Sequence, residues 1–439
     1  MKTGDMTSAI PINENEASSD RTIEDVACTV CACICDDLKI TVRDNRITNA
    51  ERACSLAEPW FRRQAPGTPT FKIRQKPSTF DDAVQASAEI IRDSRAPLIY
   101  GLSQSSTEGQ RAAVALADRL GATIDTTASV GHAPSILAMQ QVGESTCSLG
   151  EIRNRADLVI YWGADPVESH PRHMERYSME PTGQYIPKGR ADRTLIVVGS
   201  ERNATADCAD WFLQIEKGKD FEALWTLRAL LKGIEPTAEA NVGAPLQELK
   251  QLVYRMKSCR CGVIFFGYGL ARHPLGHANV EALLKLITEL NQFTRFYARR
   301  LRVMGDVSGA DSVLCWQTGY PFAVNLARGF PRYGPGEYSA ADVLAGEEAD
   351  VLVLIGTSRV SSFPDAALNH IQKIPTIVLD RFDAELPFAP TIHFVTATYG
   401  IHQPGTAYRM DEVPIPLRPV LTSTLPTDGE VLRAIHARL

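Results

Sequence analysis

Residues 156–171, ADLVIYWGADPVESHP, and residues 349–364, ADVLVLIGTSRVSSFP, form an internal repeat that decides the fold. The first copy and the second copy align without gaps and share Ala, Asp, Gly, Val, Ser and Pro at matching positions. Each copy predicts a buried strand that ends in a glycine turn, at Gly163 and at Gly356. In open α/β sheets ligands bind outside the carboxyl ends of the strands, so the repeat predicts two related sites that face one crevice. The alternative is that this pattern is simply how many α/β strands end.

Outside the repeat, short apolar runs alternate with amphipathic helical stretches. This alternation predicts an α/β fold with mostly parallel sheets. One helix is predicted at 109–120, after a capping box at 105–108 and before Gly121. Buried strands are predicted at 97–101, 158–162, 194–198, 261–266, 351–355 and 376–379.

The composition excludes several classes of function. The chain has 439 residues, with 46 lysines and arginines against 52 acidic residues and a net charge of -6. This balance gives no basic surface for nucleic acid, and no apolar run approaches the roughly 18 residues that span a membrane. The segment 1–22 has no apolar run behind a basic start, so we expect a disordered tail, no signal peptide and a cytoplasmic protein.

The cysteines near the start of the chain form the most specific chemical pattern. Cys28, Cys31, Cys35 and Cys54 have the spacing C-x2-C-x3-C-x18-C. Thiolates two and three residues apart in one loop can converge on an iron–sulfur cluster, and a thiolate from a later turn completes the set. A four-iron four-sulfur cluster fits best, while a zinc site with four cysteine ligands and a set of reduced thiols remain as alternatives. Cys33 falls outside this spacing and is predicted to be a packing residue.

Four further strings resemble one family: residues 127–135 (TASVGHAPS), 149–163, 170–173 (HPRH) and 318–329 (TGYPFAVNLARG). With the cysteine loop, they resemble the B subunit of formylmethanofuran dehydrogenase, in the molybdopterin oxidoreductase superfamily, from about residue 24 to the end. The resemblance implies an N-terminal iron–sulfur-type domain and two Rossmann-like lobes. The implied parts are a cluster domain at 23–75 with 396–439 packed nearby, one lobe from 76–130 and 319–395, and an inserted lobe at 131–318.

The resemblance also implies cofactors. In that family the B subunit carries the cluster and, with a small partner subunit, two pterin guanine dinucleotides around tungsten or molybdenum, and a separate amidohydrolase-type subunit handles the formyl group. The cluster 170–173 could present cations to a phosphate or to a partner, or it could be a structural turn. The candidate cofactor-binding residues are Gly131, Gly163, Asp165, Pro166, His170, Arg172, His173 and Gly356.

The sequence departs from the family where redox chemistry would occur. The family's metal-ligating cysteine or selenocysteine directly precedes a histidine, whereas here Gly131 precedes His132. Glycine has no donor for tungsten or molybdenum, which takes a soft thiolate or selenolate from the protein. The turns at 199–203 and 357–359 also differ from the family's dinucleotide-binding pattern. His132 is the candidate catalytic residue, with a proton-handling role, and a hydrogen-bonded loop histidine is its alternative.

This departure resembles the B subunit of the formyltransferase/hydrolase complex, which moves or hydrolyses a formyl group between a methanofuran-like carrier and tetrahydromethanopterin. We therefore expect a non-redox structural subunit beside an amidohydrolase-like A subunit and C and D subunits that include a formyltransferase. Because all four cluster-spaced cysteines are kept, a cluster would act as a structural staple. The alternatives are a working dehydrogenase whose metal is held by the pterin sulfurs alone, and a stand-alone iron–sulfur electron carrier.

Overall fold

A computed structural model describes residues 21–237, 241–272, 276–303, 305–356 and 359–439. Residues 1–20 of the predicted tail and residues 357–358 of the second copy lie outside the described residues, whereas residues 21–22 begin a strand. The strands are β1 (Arg21–Val26), β2 (Leu38–Arg43), β3 (Arg46–Glu51), β4 (Phe71–Ile73), β5 (Lys76–Ser78), β6 (Pro97–Gly101), β7 (Thr123–Thr126), β8 (Leu158–Trp162), β9 (Thr194–Gly199), β10 (Trp211–Gln214), β11 (Cys261–Phe266), β12 (Arg295–Arg300), β13 (Val324–Asn325), β14 (Arg332–Tyr333), β15 (Val351–Ile355), β16 (Thr376–Asp380), β17 (Ile392–Val395), β18 (Gly405–Tyr408) and β19 (Pro414–Leu417). The helices are α1 (Ala57–Arg63), α2 (Phe80–Arg92), α3 (Thr107–Leu120), α4 (Ala128–Gly131), α5 (Ala133–Val142), α6 (Leu149–Arg155), α7 (Pro166–Ser169), α8 (Ala204–Asp207), α9 (Asp220–Leu231), α10 (Leu246–Ser258), α11 (Tyr268–Ala271), α12 (Gly276–Leu290), α13 (Val307–Thr318), α14 (Ala340–Ala345), α15 (Asp365–Ile371) and α16 (Asp428–His436).

Two large sheets organise the chain. The five-stranded sheet has the order β10-β9-β8-β11-β12 and is parallel throughout. The nine-stranded sheet has the order β14-β13-β7-β6-β15-β16-β17-β4-β5, with a parallel centre from β7 to β17 and antiparallel edges. The predicted mixed α/β class is therefore confirmed.

The two sheets are covered differently. Helices α2, α3, α13 and α16 pack on one face of the nine-stranded sheet, and α14 and α15 pack on the other. Helices α9, α10 and α12 cover one face of the five-stranded sheet, whereas its other face packs against the cysteine loop. Both faces of these parallel strands are covered, so β8 and β15 are fully buried. Strands buried on both faces are near-continuous apolar runs, as these two are.

The aspartates of the repeat have the same role in both copies. The Asp157 carboxylate accepts the backbone amides of residues 260–261, at 3.1 and 2.9 Å, where β11 begins. The Asp350 carboxylate accepts the amides of residues 95–96, at 2.7 and 3.0 Å, just before β6. Each aspartate therefore fixes the start of one neighbouring strand.

The glycines of the repeat also match. The Gly163 amide donates to the Val198 carbonyl at the end of β9, and the Gly356 amide donates to the Leu379 carbonyl of β16, both at 2.9 Å. Their φ angles of 56° and 73° lie in the left-handed region that favours glycine. The repeat is therefore one strand-and-turn unit used twice, fixed to one neighbouring strand by its aspartate and to the other by its glycine.

Three local features complete the fold. The hairpin β4–β5 joins the nine-stranded sheet through β17, so the predicted domain bound at residue 75 falls inside that hairpin. Helix α3 is capped by Ser106, whose hydroxyl accepts the Gly109 amide, and the predicted cap at Ser105 is wrong by one residue. No helix in the described parts of the chain is long and apolar enough to cross a membrane.

Candidate functional site

The cysteine loop connects β1 to β2. The four predicted ligands and Cys33 line one small pocket, to which the turn before α1 contributes Cys54. The loop is closed by a 2.8 Å hydrogen bond from the Cys28 amide to the Cys35 carbonyl, and the Cys54 carbonyl accepts two amides at the start of α1. The fold thus brings the predicted set together and adds Cys33, which its spacing had left out.

The thiols lie close enough to influence one another. Burial, and after it the thiols of Cys31 and Cys35, raise the pKa of Cys28 well above its usual range. A hydrogen bond from the Cys33 thiol lowers the pKa of Cys31. Soft sulfur donors in this number suit an iron–sulfur cluster or zinc. In the described part of the chain no group of three His, Cys, Asp or Glu side chains is already arranged as a metal centre, so the fit lies in the chemistry of the donors.

Arg172, a predicted cofactor contact, is engaged within the chain. Its Nη1 and Nη2 atoms donate to the two carboxylate oxygens of Asp37, each at 2.8 Å, and it also donates to Glu175. Asp37 lies two residues after Cys35. The bidentate pair therefore connects the segment that follows the first copy to the cysteine loop.

The glycine turn of the first copy is closed by the protein. The Gly-Tyr-Gly segment (residues 267–269) packs on it, and the Gly269 amide donates to the Gly163 carbonyl at 2.9 Å. A Cβ atom on Gly163 would lie 2.8 Å from the backbone nitrogen of Leu270. The backbone of another strand's turn thus occupies the space where a ligand was expected.

The neighbouring predicted contacts of the first copy also have partners within the chain. Asp165 accepts the Thr205 hydroxyl at 2.5 Å, and Pro166 is buried at the start of α7. His170 Nε2 lies 2.7 Å from the Arg302 carbonyl. These groups therefore support the turn from inside the protein.

His173 and His170 are buried and uncharged. The Tyr161 hydroxyl lies 3.0 Å from His173 Nδ1. Burial lowers the pKa of His170 to about 4 and that of His173 to about 3. Neither imidazole presents a cation at neutral pH.

The Gly-Tyr-Gly segment also carries Tyr268 to Gly131. A Cβ atom on Gly131 would overlap the phenol oxygen of Tyr268 and lie 3.1 Å from its Cζ atom. That oxygen is buried and has no hydrogen-bond partner among the described residues. The Arg359 guanidinium lies 5.1 Å from the centre of the Tyr268 ring. The phenol therefore fills the space that a ligand side chain at position 131 would need.

His132 lies beside this phenol, with 6.0 Å between the ring centres. The histidine is buried, and its Nε2 atom has no partner in the described part of the chain. Burial, and after it the cations Arg302 and Arg300, hold its pKa well below the usual range. His132 is therefore neutral and can accept or donate one proton only if a ligand or water reaches it.

The glycine turn of the second copy opens onto a pocket. Gly356 and Gln104 lie at its edge, where the chain connections from β6 and β15 run in opposite directions across the sheet. Such a switch point is where open α/β sheets bind ligands. The pocket has a cavity volume of about 170 Å³ and is lined by Thr29, Val30, Trp60, Gln104, Gly356, Leu379, Asp380, Arg381, Thr396, Ala397, Thr398, Tyr399 and Asp428.

Two carboxylates face this pocket. Burial, with a smaller contribution from Asp380, raises the pKa of Asp428 to about 6, against hydrogen bonds from Thr396 and Ser105. One Asp428 oxygen has no partner among the described residues. The sequence predicted a ligand site at both glycine turns. In the structure the turn at Gly163 is closed, and the turn at Gly356 opens onto a pocket that Asp380 and Asp428 line.

Three residues of these sites were missed by the sequence reasoning. Asp380 directly follows the predicted strand 376–379 and ends β16, so its place at a carboxyl end could have indicated it. Tyr268 stands between two glycines of an incomplete dinucleotide pattern, which gave no sign that its side chain reaches Gly131. Asp428 lies in the first turn of α16, and its sequence context indicates only a helix start.

No protein-family model matches the chain. It is 38% identical over 426 residues to the B subunit of the tungsten-containing formylmethanofuran dehydrogenase 2 of Methanocaldococcus jannaschii, covering 94% of this chain and 98% of that one. It is 26% identical over 280 residues to the B subunit of the formyltransferase/hydrolase complex Fhc of Methylorubrum extorquens, covering 63% and 72%. A chain of the FhcABCD crystal structure from Methylorubrum extorquens, solved in complex with methylofuran, has a similar fold, with a TM-score of 0.68, 23% identity and coverage of 84% of this chain and 98% of that chain.

Proposed function

This chain belongs to the family of formylmethanofuran dehydrogenase B subunits, and we propose that it is the B subunit of a complex that transfers or hydrolyses formyl groups, without redox chemistry of its own. Family membership gives it a subunit role in one-carbon metabolism.

One observation carries the proposal: among the described residues, neither Gly131 nor Tyr268 offers a thiolate or selenolate beside His132. Tungsten or molybdenum bound by pterin sulfurs takes a soft thiolate or selenolate from the protein. Gly131 has no side chain, and the phenol of Tyr268 fills the volume that such a side chain would need. The residues at this position therefore do not fit the metal.

The cysteine pocket fits a different group. Cys28, Cys31, Cys35 and Cys54 would hold a four-iron four-sulfur cluster, which supplies either one-electron transfer or a cross-link between loop segments. Because the loop forms one face of the core beside the five-stranded sheet, we assign the cluster a structural role. Its expected effect is on folding and assembly.

Partners follow from the same proposal. The Methylorubrum extorquens structure is of a complex named FhcABCD, in which a chain of this fold is one subunit. We propose a hetero-oligomer with an amidohydrolase-like A subunit and C and D subunits that include a formyltransferase. The carrier would be a methanofuran-like molecule held by those partners.

A redox-active subunit is the second candidate. The 38% identity to the tungsten-containing relative favours it, because that identity extends over nearly the whole of both chains. It requires a metal held by pterin sulfurs alone beside His132. The turn of the second copy opens onto a pocket, whereas the turn of the first copy is covered by backbone.

The two candidates are separated by analysis of the native complex. We expect iron, no more than trace tungsten and molybdenum, formyl transfer between the two carriers, and no viologen-coupled oxidation of the formyl carrier. Iron would be counted by plasma mass spectrometry and the cluster identified by electron paramagnetic resonance. Stoichiometric tungsten or molybdenum together with viologen reduction would replace our proposal with the second candidate.

A further inference from the structure

Two arginines connect the segment after the first copy to the cysteine loop. Arg172 binds Asp37, and Arg176 binds Asp36 at 2.7 Å. Both aspartates directly follow Cys35 in the sequence. Arg172 lines the thiol pocket, and Arg176 is held against the two residues that follow Cys35.

Arg176 is the one of the two that keeps a donor unused. Its Nη1 atom lies 3.0 Å from the Asp37 carboxylate, yet it is buried and makes no hydrogen bond within the described residues. The same guanidinium lies within hydrogen-bonding reach of the Cys35 sulfur. The ion pair with Asp37 leaves this buried nitrogen without a well-directed hydrogen bond, and a thiolate at Cys35 would supply an acceptor for it.

We propose that Arg176 donates a hydrogen bond to the Cys35 thiolate of the bound cluster and sets its reduction potential. This inference rests on the proposed iron–sulfur cluster. Hydrogen bonds to the sulfurs and nearby positive charge stabilise the reduced, more negative cluster and so raise its potential. Arg176 is a positioning residue in this role, since it acts through the ligand Cys35.

Arg52 offers a matched control. It lines the thiol pocket and, like Arg176, is paired with Asp37, but its side chain is 65% exposed, whereas that of Arg176 is 16% exposed. Water screens an exposed charge far more than a buried one. The two arginines therefore differ mainly in burial and in contact with Cys35.

The test uses the chain purified anaerobically with the subunits that accompany it, as wild type, Arg176→Met, Arg176→Lys and Arg52→Met. Iron content, thermal unfolding midpoint and the cluster potential, from a redox titration followed by electron paramagnetic resonance, are measured for each. We expect Arg176→Met to hold the same iron with a more negative potential. Arg176→Lys should shift the cluster potential less, because the positive charge remains while the planar guanidinium is lost. Arg52→Met should give the smallest shift in potential.

Two kinds of result would overturn the inference: one refutes only the role of Arg176, and the other refutes the iron–sulfur cluster itself. Iron in all four proteins with equal potentials, or an equal shift in Arg52→Met, would refute the role of Arg176 and leave the cluster in place. Wild-type complex without iron would refute the cofactor proposal itself and this inference with it. If Arg176→Met loses its iron, the Arg176→Lys potential decides, and no shift there would count against the role.

Discussion

The first and second copies of the repeat share their hydrogen bonds and differ in what meets their glycine turns. In both, an aspartate fixes one neighbouring strand and a glycine fixes the other. The turn at Gly163 is covered by the Gly-Tyr-Gly segment, whereas the turn at Gly356 opens onto a pocket. The shared pattern builds the sheet, and the residues that arrive from elsewhere in the chain decide whether a ligand can bind.

The largest expected effect comes from adding a methyl group at each turn. We expect Gly163→Ala to lower stability by about 4 kcal/mol, because the left-handed φ is unfavourable and the new Cβ meets backbone at 2.8 Å. Gly356→Ala should cost about 1–2 kcal/mol, since its nearest neighbour is the Gln104 side chain at 3.1 Å. Urea unfolding midpoints measure both. Equal losses would mean that the two turns are closed to the same degree.

The aspartates should respond alike. We expect Asp157→Ala and Asp350→Ala each to lose about 3 kcal/mol, because each removes charge-assisted hydrogen bonds to two backbone amides. Thermal unfolding is the measurement, with the exposed Asp118→Ala on α3 as a control that should change little. If only one of the two variants were destabilised, the copies would not be structurally equivalent.

The pH dependence should differ in sign between Asp428, in the pocket beside the second copy, and His170, in the first copy. Asp428 binds its proton more tightly when folded, so its ionisation lowers stability by about 2–3 kcal/mol as the pH rises from about 4 to above 6. Asp428→Asn should therefore raise the unfolding midpoint at pH 7.5 and leave it nearly unchanged at pH 4. His170 has the opposite effect, because burial lowers its pKa in the folded state. Its contribution to folding stability is therefore fully present above about pH 6.5 and is lost as the pH falls toward 4. An Asp428→Asn midpoint no higher than wild type at pH 7.5 would show that this carboxyl is solvated in the pocket.

The smallest expected effect tests whether the phenol of Tyr268, next to the closed turn at Gly163, occupies the space beside Gly131. Gly131→Ala should lose about 1–2 kcal/mol, because the new Cβ overlaps Tyr268. In a Tyr268→Leu background the same substitution should cost nothing measurable. Gly150→Ala is the control, since its Cβ would have only a hydroxyl at 3.6 Å. A loss of the same size in both backgrounds would show that Tyr268 is not what occupies this space.

Much of the frame was predictable from the sequence. The predicted strands at 97–101, 158–162, 261–266 and 351–355 agree with β6, β8, β11 and β15, because each is a short apolar run that ends in a turn residue. The convergence of the four cysteines on one pocket followed from their spacing. Local pattern is sufficient where the determining residues are neighbours in the chain.

What covers each turn was not predictable, because it depends on contacts far apart in the sequence. Arg172 was recognised as a cation, but its partner Asp37 lies 135 residues away. Tyr268 follows β11 of the five-stranded sheet, whereas Gly131 follows β7 of the nine-stranded sheet, so their contact joins segments far apart in the chain. Whether a side chain binds a cofactor or a neighbouring strand is decided by tertiary packing, on which periodicity and spacing carry no information.

The hydrogen bonds of the aspartate and the glycine also fix the length of the strand in each copy of the repeat. Each copy has five residues of strand between an aspartate bonded on one side and a glycine bonded on the other, so both ends of the strand are held in register at once. Deleting or inserting a single residue between them would break one anchor and turn the side chains beyond it to the opposite face of the sheet. Natural variation in chain length is therefore expected to fall outside these two segments, in the connections that follow the glycines.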